Sequence, residues 1–200
     1  MIKSKIIVSA IAGLLVLVIG ISTIVEYNQL VTKSHTVDNN YSQVINRLNE
    51  RQATIPQLVS VISELEEHEY AIYSAITDAR SAYADALASN DRDGIITADS
   101  AYVDAMTNLI VTVEDYPAIA SASVFHSLMI TISGIESALS VARKDYNDSV
   151  TVYLQALDYF PSNIYAAMFS FDADVDYWAL NEGANQIPDI NFGTYDDETA

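Results

Sequence analysis

Residues 6–25 read IIVSAIAGLLVLVIGISTIV, twenty positions with thirteen Ile, Leu or Val and no charge. At about 1.5 Å per helical residue this run reaches about 30 Å, the thickness of a bilayer's hydrocarbon core. A buried helix of a soluble domain rarely lacks a polar face for so long. The stretch therefore predicts a membrane-spanning helix, with lipid bilayer as the partner of residues 6–25 and the rest of the chain presented at a membrane surface.

The competing reading is a secretory signal peptide. Lys3 and Lys5 supply its basic start. The apolar part is longer than the usual ~7–15 residues, and it runs into Glu26-Tyr27-Asn28 with only Ser22-Thr23 as a poor cleavage site. There is no cysteine, which excludes lipoprotein processing. Beyond the span, Lys33 is the nearest basic residue. The charge bias of Lys3 and Lys5 predicts a single-pass cell-membrane protein with a cytoplasmic N-terminus and an extracytoplasmic domain.

All 27 acidic residues and seven of the nine Lys and Arg follow the span, a net charge of −20 over residues 26–200. Such a surface repels phosphates, so no nucleic-acid partner is expected, nor broad contact with anionic lipid headgroups. Three uses of the acidity remain: solvation in salt, attraction of cations, or attraction of a basic partner. Apolar content is sufficient for a packed core.

Past the span, Tyr27, Leu30, Ser34, Val37, Tyr41, Val44 and Leu48 alternate steps of three and four, an a/d seam. No proline or glycine separates the seam from the span, so one stalk is predicted over roughly 6–51. Ile55-Pro56 is read as a break. A second helix is predicted over 56–88, with a seam through Leu58, Ile62, Leu65, Glu69, Ile72, Ile76, Ala79, Tyr83 and Ala86. Ser89–Gly94 is a polar turn with an Asp N-cap. A third helix, 94–113, shows Ala98, Tyr102, Ala105 and Leu109, and Glu114–Pro117 ends it. A fourth, 118–159, carries Phe125, Leu128, Ile132, Ile135, Leu139, Ala142, Tyr146, Val150, Tyr153 and Leu157, with a stutter at Tyr146. After Phe160-Pro161, Ser162 is read as the cap of a short helix to about Phe171. The expectation is an all-α chain: an anchor (1–25), an elongated antiparallel four-helix-type bundle (26–171) and an irregular acidic tail (172–200).

Several signatures occur in order: Tyr27-Asn28-x-Leu30-Val31, Val37, Arg47-Leu48-x-x-Arg51, Ile55-Pro56-x-Leu58-Val59, Glu69 and Ala79-Arg80. Then come Tyr116-Pro117, Phe125-x-x-Leu128, Glu136, Ala142-Arg143-x-x-Tyr146-Asn147 and Phe160-Pro161-x-Asn163. Over residues 1–171 the set resembles the LemA family of bacterial membrane-anchored helical proteins. The resemblance implies an N-terminal transmembrane helix, a long helical bundle and no established enzymatic activity. Some members are tied to membrane remodelling, as in magnetosomes. The family's domain is sometimes drawn on the cytoplasmic side, against the lysine bias. This chain has Ala120 where the family usually has a lysine, and its basic residues are thinned out.

Polar residues on or beside seams are the candidate sites. A carboxylate such as Glu69 on an a/d stripe needs a partner, for which Arg47, Arg51, Arg80 and Arg143 are candidates. Glu136, Arg143 and Asn147 form a second stripe, read first as structural pairing and otherwise as a binding groove. His35, His68 and His126 lie far apart, and the Glu64–His68 spacing misses the di-iron pattern by one. Asp172, Asp174 and Asp176 alternate as in a calcium loop, but the central glycine is absent and the twelfth position is Gly183 rather than Glu. No nucleophile elbow or phosphate loop occurs, the sequon Asn147-Asp148-Ser149 falls within a helix, and no cofactor is expected. The leading expectation is a non-enzymatic scaffold with an unidentified protein partner, able to associate between copies through exposed heptad positions. The alternatives are an acidic cation- or ligand-binding membrane protein and, last, a hydrolase.

Overall fold

The computed structural model describes residues 2–63, 70–120 and 122–179. The described part is all-helical: α1 (Ile2–Ile62), α2 (Tyr70–Ser89), α3 (Arg92–Val113), α4 (Pro117–Ala120), α5 (Ser123–Asp158) and α6 (Ser162–Met168). Leu65, His68, Glu69 and the stretch from 181 to 200 lie outside the described residues, and with them the Glu69 reading.

The chain divides into two compact units. One comprises Met1–Gln43 with Arg143–Tyr177; the other comprises Val44–Ala142 with Trp178–Ala200, of which residues 178 and 179 are described. Helices α1 and α5 each contribute to both.

α1 runs unbroken from the apolar run through the first seam. Thr23, Thr32, Thr36 and Ser42 turn their hydroxyls back to the carbonyls four residues earlier, at 2.8–2.9 Å, so they do not disturb the helix. α1 also runs through Pro56, where the sequence predicts a break. Pro56 is exposed, so the carbonyl of Gln52 that loses its donor can turn to water. Ile55, Leu58 and Ile62, on the opposite face, are at most 2% exposed. Three such burials, at about 1.5–3 kcal/mol each, outweigh the ~3 kcal/mol cost of an internal proline. α2 accordingly starts at Tyr70, not at residue 56.

In the first unit, Leu30, Ala156 and Ala166 form one core cluster, with Leu157, Tyr165 and Phe171 against it, and Val37, Tyr146, Val150 and Tyr153 are also buried. Tyr41 meets Tyr146 edge-on at 6.0 Å, and Asn40 donates to the Asp145 carbonyl at 3.1 Å. The non-helical segment after α6 is strapped down by two tyrosines: Tyr153 Oη donates to the Asp172 carbonyl (2.8 Å) and Tyr146 Oη to that of Asp176 (2.6 Å). Ser162, predicted as an N-cap, instead opens α6 and donates to the Ala156 and Tyr159 carbonyls at the end of α5.

In the second unit, Ile55, Leu58 and Ile62 of α1, Ile76 of α2, Met106 and Leu109 of α3, and Phe125, Leu128 and Ile132 of α5 share one core. α2 closes with Asn90 in the left-handed region (φ 55°) and Asp91 N donating to the Ala86 carbonyl at 2.8 Å, a Schellman-type end. The polar turn predicts an Asp cap without choosing between Asp91 and Asp93; it is Asp91 that caps α3, its carboxylate accepting from Gly94 N at 3.0 Å, and the helix starts at Arg92 rather than at 94.

Candidate functional site: a buried arginine–carboxylate cluster

Leu48, Arg51, Ile55, Leu58 and Ile62 continue one buried stripe of α1 in steps of three and four. A cation therefore occupies a core position, and Arg51 is wholly buried. Its Nη2 stands 2.7 Å from Asp99 Oδ1, itself 0% exposed, on α3. Its Nη1 donates to Glu136 Oε1 on α5 at 3.1 Å. Its guanidinium carbon lies 4.2 Å from the ring centroid of Tyr102, one turn beyond Asp99 on the same face of α3. Trp178 is also buried, and its Nε1 donates to Asp99 Oδ2 at 3.2 Å. Beside the cluster, Tyr83 Oη donates to Asn49 Oδ1 at 2.8 Å.

Burial by itself would lower the Arg51 pKa; the Asp99 and Glu136 carboxylates reverse that and hold it above its usual value. Burial pushes the Tyr102 hydroxyl well up, against the pull of Arg51 and with the push of Glu136. Arg51 thus stays charged and Tyr102 neutral. The cluster orients side chains from α1, α3 and α5 and the segment at Trp178 about one guanidinium. Removing any one partner would leave a buried charge exposed to the core.

Arg47 pairs with Glu50 at the surface (2.8 Å), and Arg80 is exposed. Arg143 is buried and Asn147 half-buried, both in the first unit, whereas Glu136 belongs to the second. Tyr27 packs edge-on against Phe169 (4.9 Å), Asn28 accepts from Thr32 Oγ1, and Tyr116-Pro117 leads into α4. Phe160 is exposed and joined to Pro161 by a cis peptide bond. Asp174 N donates to Asp172 Oδ1 at 2.9 Å. No group of three or more His, Asp or Glu side chains that could hold a metal occurs among the described residues, Asp172, Asp174 and Asp176 included.

Asp99 and Trp178 are absent from the sequence-derived candidates. Asp99 sits four residues past Ile95 and seven before Met106, both buried, so helical spacing carried a signal for it. Trp178 is the single tryptophan of the chain, in an aperiodic stretch read as tail.

The fold and the cluster define a class: an all-helical protein whose long first helix carries an apolar run and, further on, a buried arginine. Within that class the chain belongs to the LemA family, whose model matches residues 40–192. The match extends beyond residue 171. No curated protein matches the chain.

Proposed function

We propose that this protein is a single-pass membrane scaffold, non-enzymatic, with an elongated antiparallel bundle held at the bilayer and a protein as its partner. The observation that carries the reading is exposure all round the start of α1. Leu14, Leu15, Val16 and Leu17 are 62%, 57%, 71% and 57% exposed. Successive residues of a helix point about 100° apart, so these four leave no face of the helix covered by protein. Each such side chain gains about 1.5–3 kcal/mol on leaving water. α1 is long and apolar enough to cross a membrane. α5 meets the same criterion of length and composition, but its Phe125, Leu128, Met129 and Ile132 are buried in the second unit's core. The buried cluster, turned inward on itself, supports a structural role for the charged residues. The bias of Lys3 and Lys5 supports a cytoplasmic N-terminus and a bundle outside the cytoplasm.

Three measurements test this. Carbonate-washed membranes retain the full-length chain, and protease added to intact cells removes the C-terminal half. Crosslinking in native membranes then traps specific protein adducts. A chain released without detergent overturns the anchor; absence of adducts under several chemistries overturns the scaffold.

A further inference from the structure

Asp158 and Asp172 bracket thirteen residues, Tyr159–Phe171, that contain no Asp, Glu, Lys or Arg in a chain of net charge −18. This segment holds α6. One face of α6 packs inward, with Ala166 in the core beside Leu30 and Tyr165 against it. The opposite side is apolar and uncovered: Phe160 is 80% exposed, Ile164 55% and Met168 57%. Ile164 and Met168 stand one turn apart on the same face of α6, and Phe160 precedes them by a further four positions.

The position of α6 along α1 says what covers that face. Tyr165 Oη donates to Ser22 Oγ at 3.2 Å, and Phe169 packs on Tyr27 at 4.9 Å. Ser22 lies three residues inside the end of the 6–25 run, about 4.5 Å along the helix axis. α6 therefore sits within about one helical turn of the level at which α1 leaves the hydrocarbon. Uncharged apolar and aromatic side chains at that depth match the chemistry of the bilayer interface.

We infer that the α5–α6 turn and the outer face of α6, through Phe160, Ile164 and Met168, form a second membrane contact that rests in the lipid interface beside the anchor. The inference rests on the membrane-anchor reading. Because the segment has no basic residue, the contact is apolar and independent of anionic lipid, unlike a polybasic patch. It braces the first unit against the bilayer surface.

The chain has no cysteine, so single-cysteine variants report cleanly. Full-length Phe160→Cys, Ile164→Cys, Leu15→Cys and Ser42→Cys proteins carry an environment-sensitive fluorophore in phosphatidylcholine vesicles. Helix content is checked by circular dichroism. The expected result is blue-shifted emission and quenching by spin-labelled lipid at 160 and 164 as at 15, insensitive to high salt, with iodide quenching only at 42. Labels at 160 and 164 that behave like 42, while 15 is quenched by lipid, overturn the interfacial contact and leave the anchor standing. Labels at 160 and 164 shielded from both quenchers mean that protein covers the face, which also overturns it. A label at 15 that iodide reaches removes the anchor and this contact together.

Discussion

Arg51 Nη2 and Asp99 Oδ1 stand 2.7 Å apart with neither side chain exposed, and Asp99's other oxygen accepts from Trp178. Replacing Arg51 with Met strands two carboxylates. The expected loss is about 3–5 kcal/mol, read by denaturant titration followed by circular dichroism. Arg51→Lys also loses stability, since an ammonium cannot serve both carboxylates and stack on Tyr102. The triple change Arg51→Met, Asp99→Leu, Glu136→Leu recovers most of the loss, because no buried charge is then left alone. A triple variant as unstable as Arg51→Met would show that packing, not charge, sets the cost.

Trp178 reports on the same site without added probes, being the single tryptophan. Its emission is expected to be blue-shifted and poorly quenched by acrylamide. Asp99→Asn should redden it before global unfolding. Trp178→Phe keeps most of the apolar contact but removes the donor to a carboxylate, a loss of roughly 1.5–3 kcal/mol. Emission at the water-exposed wavelength in the native protein would sink this docking.

Gly94→Ala ordinarily favours a helix by about 1 kcal/mol. Here the sign reverses. A Cβ at residue 94 would stand 2.7 Å from Asp91 Oδ2 and 3.0 Å from Ala86 Cβ. The capping carboxylate must swing away, at a cost of about 1 kcal/mol for the lost cap plus the crowding on Ala86. Asp91→Ala combined with Gly94→Ala is expected to be less than additive in melting temperature, because both remove the same cap.

Ser170 holds φ 55°, and Phe171 N donates across it to the Ala166 carbonyl at 3.0 Å. A side chain in that conformation costs about 1–2 kcal/mol, which glycine does not incur. Ser170→Gly should raise the denaturation midpoint. Asn90→Gly should do less, since asparagine tolerates the left-handed region.

The Tyr102 hydroxyl is buried and has no hydrogen-bond partner among the described residues. Burial raises its pKa above the ordinary value of about 10. The folded state therefore holds the proton more tightly than the unfolded state. Stability is full below about pH 10 and falls as pH rises past it. Tyr102→Phe should flatten that alkaline decline and cost little at neutral pH, since it removes an unsatisfied buried group. An unchanged alkaline slope in the variant would assign the decline to other groups.

Much of this was open to reading from residue order. The apolar run from Ile6 to Val25, the stripe of Leu30, Val37, Val44 and Leu48, and an Asp cap in the turn before α3 follow from local chemistry and a period near 3.6. So did the family, through motifs set out in order along the chain. Periodicity tells which face of a helix leaves water, but not which neighbour covers it. Glu136 meets Arg51 across 85 residues, and Trp178 meets Asp99 across 79. Both contacts depend on packing between distant segments, and no local propensity encodes that. Pro56 teaches the same lesson: judged on its own it ends a helix, yet the burial of Ile55, Leu58 and Ile62 carries α1 through it, because desolvating three large side chains outweighs one missing hydrogen bond.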